Sequence, residues 1–277
     1  MMNSATRKVA AITGASSGIG SVNADRFAAR GYDLILVARR GERLAALSGQ
    51  LSALYGVEVG VISADLTKEA DLVRVAGSLG ASSALRVLVN NAGNSRLAPL
   101  AETSAAESAS MIALNVAALT RLTEAVLPSF LSQKDGLIIN IASVLSLHAL
   151  PVSAVYSGTK GYVLNFSRGL QQEFAGTGVR LQVVLPGTTA TELWDLSGIP
   201  LALLNKAKVM SAEDMVDAAL AGLDNHEDVT LPSVGDPSLW DAYDAARSKL
   251  FLATQTGNPH RVTPGPDDSG WSPKRPQ

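Results

Sequence analysis

Apolar residues in this chain gather in seven short runs that are separated by stretches with helical spacing. Each run is aliphatic or β-branched and nearly continuous, rather than alternating with polar residues. A strand reads this way when both faces of its sheet are covered, as in a parallel sheet flanked by helices. The predicted strands are Lys8–Ile12, Asp33–Ala38, Val57–Ser63, Arg86–Asn90, Gly136–Ala142, Val179–Leu185 and Val229–Leu231.

Helix-like segments follow these runs in regular alternation. The predicted helices lie near 18–29, 41–54, 68–80, 103–132, 155–176, 211–223 and 236–252. A repeated β-then-α order predicts an α/β protein with right-handed crossovers, which is a Rossmann fold. We therefore expect one domain over residues 1–253, with a doubly wound, seven-stranded parallel sheet and helices on both faces.

Two segments depart from this rhythm. Residues 188–210 are apolar but are interrupted by Gly198-Ile199-Pro200, so they predict either a mobile substrate loop or a packed helical excursion. Residues 254–277 are rich in proline and glycine and poor in aliphatic side chains. That composition is typical of a flexible C-terminal tail.

Composition narrows the class of protein. Hydrophobic residues make up 47% of the 277 positions and charged residues 17%, which excludes a disordered chain. The net charge of −2 argues against binding to nucleic acid or to a membrane surface. The absence of cysteine excludes disulfides and thiol catalysis. No apolar run reaches the roughly 18 residues of a membrane span, and no signal peptide is recognisable, so we expect a cytoplasmic protein.

A glycine-rich turn follows the first strand. Thr13–Gly20 has the spacing G-x-x-x-G-x-G and runs into a predicted helix. Glycines allow a tight turn and close approach of a pyrophosphate, while the helix N-terminus offers free N–H groups to anionic oxygens. The turn could be an ordinary connection between a strand and a helix. Because it follows the first strand of a βαβ series, however, a dinucleotide site is the better interpretation. Its candidate residues are Gly14, Ser16, Ser17, Gly18, Ile19 and Gly20.

The end of the second strand indicates which dinucleotide binds. It carries Arg39 and Arg40 where an NAD-binding chain usually has a carboxylate. Guanidinium groups suit a 2′-phosphate, so we expect NADP(H) in preference to NAD(H), although one of the two arginines could simply be solvated. After the third strand, Asp65, with Leu66 beside it, could contact the adenine; Asp65 could equally cap the next helix.

A candidate acid–base pair opens the helix near 155–176. Tyr156 and Lys160 stand four residues apart and share one helix face. A free phenol has a pKa near 10, and a neighbouring ammonium lowers that pKa towards the working range. An exposed tyrosine and lysine would look the same in sequence. Ser143, where the fifth strand ends, adds a hydroxyl at the edge where such sheets bind ligands, or it is a turn or cap serine.

Together these motifs resemble the short-chain dehydrogenase/reductase family, in its NADP(H)-preferring form. The resemblance rests on TGxxxGxG at Thr13–Gly20, NNAG at Asn90–Gly93, Asn115, Ser143, YxxxK at Tyr156–Lys160 and Pro186-Gly187, and it spans residues 8–252. It implies a carbonyl–alcohol oxidoreductase that acts on a small molecule, as a homodimer or homotetramer.

The resemblance also implies a role for each matching position. Tyr156 would be the general acid and base, Ser143 would polarise the substrate oxygen, and Lys160 would lower the tyrosine pKa and bind the nicotinamide ribose. Asn115 would distort its helix and hold a water that links Lys160 to solvent. The remaining cofactor contacts would be Asn91, Ala92, Gly93, Pro186, Gly187, Thr189 and Thr191.

Other chemistries fit the sequence less well. The residues Ser157–Lys160 match the S-x-x-K motif of penicillin-recognising hydrolases, but the companion S-D-N and K-T-G motifs of those enzymes are absent. The three histidines are scattered without metal-ligand spacing, so no metal is expected. A different class of function, an NADP(H)-binding redox sensor without turnover, is the alternative that we keep.

The expected substrate wall is apolar. Leu145 and Val152 on one side, and Leu193 and Trp194 on the other, are its principal candidates. Further wall positions are Leu147, Leu150, Val155 and Leu196. Such a pocket favours a hydrophobic ketone, aldehyde or secondary alcohol over a charged metabolite.

Overall fold

The computed structural model describes residues 7–257 and contains all seven predicted strands. They are β1 (Val9–Thr13), β2 (Asp33–Ala38), β3 (Val59–Ser63), β4 (Leu85–Asn90), β5 (Gly136–Ile141), β6 (Val179–Val184) and β7 (Val229–Thr230). Each begins and ends within two residues of the run that predicts it. The expected tail over 254–277 lies for the most part outside the described residues and stays a prediction.

The seven predicted helical segments are also present, the one near 103–132 as two helices, and a further short helix lies within residues 188–210. They are α1 (Gly18–Ala29), α2 (Gly41–Tyr55), α3 (Glu69–Gly80), α4 (Ala105–Ile112), α5 (Leu119–Gln133), α6 (Ala154–Glu173), α7 (Leu193–Ser197), α8 (Ala212–Asp224) and α9 (Ser238–Ala253). Glycine ends α2: Gly56 has a positive φ of 65° and donates its N–H to the Ser52 carbonyl.

The strands form one parallel sheet in the order β3-β2-β1-β4-β5-β6-β7. The direction of winding reverses between β1 and β4, which are neighbours in the sheet but not in the chain. In open α/β sheets, ligands bind outside the carboxyl ends of the strands at such a reversal. The doubly wound Rossmann fold expected from the sequence is confirmed.

The core consists of two apolar clusters, one on each face of the sheet. Along β4, Leu88 belongs to one cluster, whereas Val87 and Val89 belong to the other, because successive side chains point to opposite faces. All three are at most 1% exposed. This double burial explains why the central strands appear as continuous apolar runs in the sequence, whereas the edge strand β3 has no buried residue.

The long segment Ala105–Gln133 is not a uniform α-helix. Residues Ala113–Ala118 form a π-helical turn between α4 and α5. By length and mean hydropathy the whole segment could cross a membrane, although it contains no unbroken apolar run of that length. In this structure α5 packs on β4, β5 and α3, and Leu122, Val126 and Phe130 lie in the core. That placement is typical of a core helix in an α/β domain.

Residues 188–210, which we call the substrate segment, contain short helical turns. Helix α7 occupies five residues and ends at Gly198, whose φ is 94°. Two further 3₁₀ turns follow, and Thr189 forms an isolated parallel bridge with Met210. The sequence left open a loop or a packed helical excursion, and the structure shows a segment of brief helical turns.

The chain divides into two compact units, Met1–Ser233 and Val234–Gln277. The first unit holds the sheet and helices α1 to α8. The described part of the second unit holds α9, in which no residue is buried. The sequence placed the end of the catalytic domain at residue 253, and that boundary stays a prediction.

Candidate active site

A cleft of about 870 Å³ lies at the carboxyl ends of the strands. Nearly every residue that the sequence nominated for cofactor, substrate or chemistry lines it. Those residues are Gly14, Ser16, Ser17, Gly18, Ile19, Arg39, Arg40, Asp65, Leu66, Asn91, Ala92, Gly93, Ser143, Leu145, Val152, Tyr156, Lys160, Pro186, Gly187, Thr189, Thr191, Leu193 and Trp194. The two other nominated residues, Gly20 and Asn115, are buried behind the lining.

The glycine turn leaves no room for side chains. Gly14 has a φ of 68°, and a Cβ on it would lie 2.8 Å from Asn91 Nδ2. Gly18 has a φ of 55°, and a Cβ on Gly20 would overlap the Gly14 carbonyl. Because only glycine meets these constraints, the backbone of the turn is exposed to the cleft at close range. This is the geometry that a bound pyrophosphate requires.

Helix α1 begins in this turn without competing acceptors. Ser17 stands at its N-cap, but among residues 7–257 no side chain caps the helix, and its first turn contains no acidic residue. The first N–H groups and the positive end of the helix dipole therefore remain available to an anion. The glycine turn and this uncapped helix together fit a dinucleotide cofactor.

Thr13 ties the glycine turn to the end of β4. Its hydroxyl donates to the Val89 carbonyl at 3.2 Å and accepts from the N–H groups of Asn91 and Ala92, each at 3.0 Å. In return, the Asn91 amide donates to the Thr13 carbonyl at 2.9 Å. Sequence reasoning quoted Thr13 within a motif without a role. The structure makes it the residue that fixes one strand end against the other.

Arg40 already has several partners in the cleft. Its guanidinium donates to the hydroxyls of Ser16 at 3.0 Å and Ser17 at 2.7 Å, and to the Glu192 carboxylate at 2.6 Å. Arg43, in the first turn of α2, reaches the other oxygen of Glu192, also at 2.6 Å. The two bonds to Glu192, from Arg40 and Arg43, hold the pKa of its carboxyl down at about 2, with the Arg40 bond contributing most. Sequence reasoning missed both Arg43 and Glu192.

Arg39 and Asp65 border the same end of the cleft. Arg39 is exposed. Asp65 accepts from the hydroxyl of Thr67 at 2.7 Å and from its N–H at 3.1 Å, and these bonds lower the pKa of the Asp65 carboxyl. Asp65 therefore closes a turn two residues before α3 rather than serving as its N-cap, which is Lys68.

Tyr156 and Lys160 lie on one face of α6, as their spacing predicts. The Lys160 Nζ lies 5.8 Å from the centre of the Tyr156 ring and donates to the Ile141 carbonyl at 2.8 Å. Burial lowers the pKa of Lys160 to about 8. Burial also raises the pKa of Tyr156 to about 12, while a hydrogen bond with Ser143 acts in the opposite direction. The lowered phenol pKa that the sequence predicts is thus not found in this structure, because burial outweighs the favourable contacts.

Ser143 has two kinds of contact. Its hydroxyl accepts from the Leu145 N–H at 3.1 Å, so it caps the 3₁₀ turn Val144–Ser146. It also faces the Tyr156 phenol across the cleft. Ser143 therefore caps a turn and also lies in the cleft beside Tyr156, and its catalytic role stays a prediction.

Asn115 lies within the π-helical turn, where it links three elements. Its Oδ1 accepts from the Asn94 N–H at 3.0 Å, and its Nδ2 donates to the Asn94 carbonyl at 2.9 Å and to Thr159 Oγ1 at 3.0 Å. The predicted distortion of its helix is confirmed. Thr159, which also donates to the Tyr156 carbonyl, was not anticipated.

The substrate side of the cleft is mostly apolar. Of the wider set expected there, Leu150 and Leu196 line it, whereas Leu147 packs on the core and Val155 is not part of the wall. Polar residues that the sequence did not nominate also line it: Asn94, Ser95 and Ser110. Among residues 7–257, no group of three or more His, Asp or Glu side chains is placed to hold a metal ion.

Residues 8–198 match the family model of the short-chain dehydrogenases. The chain belongs to this family. A curated member, serine 3-dehydrogenase from Rhizobium radiobacter, is 37% identical over 182 residues, which span 65% of this chain and 72% of that one. Several further curated relatives match over only about a quarter of their own length, from 24% to 29%.

Solved structures of family members resemble this one closely. A short-chain dehydrogenase from Sphingobium yanoikuyae in complex with NADPH superposes with a TM-score of 0.88 at 41% identity, covering 91% of this chain and 98% of that one. A bulky-bulky ketone specific alcohol dehydrogenase from Comamonas testosteroni gives 0.83 at 35% identity, covering 92% and 98%. The chain is an NAD(P)-dependent dehydrogenase or reductase.

Proposed function

We propose that the protein uses NADPH to reduce a hydrophobic ketone or aldehyde to an alcohol, and that it catalyses the reverse reaction with NADP⁺. The convergence of Ser143, Tyr156 and Lys160 on one apolar cleft beside the glycine turn carries this proposal. When bound, the nicotinamide supplies the hydride. The protein supplies the position of the carbonyl and a proton for its oxygen.

Tyr156 is the proton donor in this scheme. Its phenol is protonated at neutral pH, as a general acid must be before it donates to the bound carbonyl. The Ser143 hydroxyl donates to the same carbonyl oxygen and so fixes its position between two donors. Donation of the proton leaves a phenolate on Tyr156, and the Lys160 ammonium, 5.8 Å from the centre of that ring, stabilises its negative charge.

The proton that Tyr156 donates must be replaced from solvent, and polar groups near Lys160 could carry it. Asn115 forms hydrogen bonds with the Asn94 backbone and with Thr159. The backbone of the preceding residue, Gly93, lies close to Lys160, since a Cβ on Gly93 would lie 3.6 Å from Lys160 Nζ. We infer that this group of polar atoms holds the water that reconnects Lys160 with solvent.

The arginines support NADP(H) over NAD(H). Arg40 reaches the hydroxyls of Ser16 and Ser17 in the glycine turn, so we expect its guanidinium to border the adenosine ribose of a bound dinucleotide. Arg39 stands exposed at the same strand end. The similar Sphingobium structure contains NADPH. Asp65 and Leu66 would border the adenine.

The substrate class follows from the wall of the cleft. Leu145, Val152, Leu193 and Trp194 surround the position opposite Tyr156 with apolar surface. A wall of this kind stabilises a bulky apolar substituent by removing it from water. The Comamonas relative, which is specific for bulky-bulky ketones, supports this choice.

We also propose that the protein works in the cytoplasm as a homodimer or homotetramer. Exposed apolar side chains on the long segment Ala105–Gln133 support an assembly through it, including Ile112 and Leu131. Size-exclusion chromatography with light scattering tests the assembly, and a monomer at micromolar concentration would contradict it.

The decisive experiment compares Tyr156→Phe with Tyr162→Phe, an exposed tyrosine on the same helix. Loss of the proton donor should lower kcat for a panel of hydrophobic ketones by about 10²- to 10⁴-fold, since this is the usual contribution of a general acid. NADPH affinity, measured by fluorescence titration, should not change. The Tyr162 variant should keep full activity. If the wild-type protein binds NADPH tightly but reduces no carbonyl tested, a redox sensor becomes the better explanation.

A further inference from the structure

Glu192, at the start of the substrate segment, forms ion pairs with two arginines on the cofactor side of the cleft. It is the last residue before α7, and its carboxylate bridges Arg40 and Arg43 with one oxygen for each guanidinium, both at 2.6 Å. About half of each side chain is exposed, so solvated ions can reach the bridge. Arg40, Glu192 and the glycine turn all line the cleft.

The backbone next to Glu192 explains why the carboxylate reaches this place. The neighbouring Thr191 packs on the glycine turn: a Cβ on Gly18 would lie 3.0 Å from its Cγ2. The start of the substrate segment is thereby held beside Ser16 and Ser17, the hydroxyls that Arg40 also contacts.

A carboxylate between two guanidinium groups occupies a site that suits a phosphate. Both anions are planar or tetrahedral groups with oxygens that accept bidentate, charge-assisted bonds from arginine. The nominated 2′-phosphate position and the Glu192 position therefore share Arg40. Since one guanidinium cannot give the same N–H groups to both anions, the two occupants compete.

We propose that Glu192 occupies the Arg40–Arg43 pair until the 2′-phosphate of the cofactor displaces it, so that phosphate recognition also releases the start of the substrate segment. This inference rests on the proposed NADP(H) preference. It assigns Arg43 as a second phosphate ligand and Glu192 as a specificity-determining residue. A cofactor without the 2′-phosphate cannot displace the carboxylate, and α7 stays tied to the arginines.

The test measures binding of two cofactor fragments, adenosine 2′,5′-bisphosphate and adenosine 5′-monophosphate, by isothermal titration calorimetry. The variants are Glu192→Gln and, as a matched control, Glu42→Gln. Glu42 is an exposed carboxylate between Gly41 and Arg43, and its removal changes the local charge equally. We expect Glu192→Gln to bind the bisphosphate about three- to tenfold more tightly, since exposed ion pairs of this kind compete weakly. Its affinity for the monophosphate should not change, and Glu42→Gln should change either affinity less than twofold.

A second measurement follows the released segment. Hydrogen exchange of the amides in 192–197 should accelerate when the wild-type protein binds the bisphosphate but not when it binds the monophosphate. In Glu192→Gln the exchange should be fast from the start.

The outcomes separate the two proposals. If the wild-type protein prefers the bisphosphate but Glu192→Gln binds it no more tightly, or if Glu42→Gln tightens binding equally, the competition by Glu192 is wrong and the cofactor preference stands. If neither the wild-type protein nor Glu192→Gln prefers the bisphosphate, the NADP(H) preference itself fails. Unchanged hydrogen exchange in 192–197 would contradict the release of the segment.

Discussion

The two sides of the cleft are held together in different ways. On the cofactor side, residues 13–20 and 90–93 are joined by closely spaced bonds from Thr13 and Asn91, and glycines leave no alternative backbone path. On the substrate side, the segment 188–210 is attached by a few separate bonds, such as Leu97 N–H to the Ser197 carbonyl at 2.8 Å. Dense contacts fix the geometry of the cofactor side, which must be the same in every reaction cycle. Sparse contacts allow the segment 188–210 to adapt to the shape of the substrate.

The largest expected effect tests the rigidity of the cofactor side. Thr13→Val keeps the shape of the side chain but removes the acceptor for two backbone N–H groups, those of Asn91 and Ala92. We expect the free energy of unfolding to fall by about 1–3 kcal/mol, the usual cost of unsatisfied buried donors. Urea denaturation measures this change. Thr13→Ser keeps the hydroxyl and should lose much less; equal losses in both variants would show that the hydroxyl does not hold the two strand ends together.

The pH dependence of catalysis should be set by Lys160, which lies on the cofactor side of the cleft and donates to the Ile141 carbonyl at the end of β5. Its pKa of about 8 means that the ammonium is lost above that pH, while the pKa of Tyr156, about 12, keeps the phenol protonated. We therefore expect kcat/KM for carbonyl reduction to fall about tenfold per pH unit above about 8. A pH–rate profile at fixed NADPH measures it. A flat profile up to pH 10 would exclude Lys160 as the titrating group.

A smaller effect is expected on the substrate side. Trp194 donates its indole N–H to the Thr189 carbonyl at 2.9 Å, and Trp194→Phe removes this bond while keeping an aromatic wall. We expect KM for a bulky ketone to rise about three- to tenfold, in line with the net value of one hydrogen bond. NADPH affinity and the pH midpoint should not move. Leu203→Ala, at a side chain that is 76% exposed, is the matched control and should change none of these values.

Local patterns in the sequence predicted the cofactor side well. Continuous apolar runs predicted the strands, and double burial explains this pattern in the central strands, although the edge strand β3 contains no buried residue. The spacing in Thr13–Gly20 predicted the turn, since only glycine tolerates its backbone. The i, i+4 spacing of Tyr156 and Lys160 placed both on one face of α6. In each of these cases the physical constraint acts between residues that are close in the chain.

The features that the sequence did not reveal depend on residues far apart in the chain. Glu192 looks like an ordinary polar residue until the fold brings it to Arg40, 152 positions away. Thr159 becomes informative only when Asn115 reaches it. The raised pKa of Tyr156 depends on how deeply the cleft buries it, and neighbour spacing alone does not give that depth.

The π-helical turn at Ala113–Ala118 has a consequence for insertions and deletions. A π turn closes its hydrogen bond one residue later than an α turn, so the helix from Ala105 to Gln133 accommodates one residue that an uninterrupted α-helix would not. The apolar faces of α4 and α5 are therefore rotated relative to each other by that residue. A shorter chain could keep the core packing of α5 with a regular helix, but Asn115 would no longer face Asn94 and Thr159. The additional residue thus interrupts the regular α-helix and thereby places Asn115 against Asn94 and Thr159 beside the cleft.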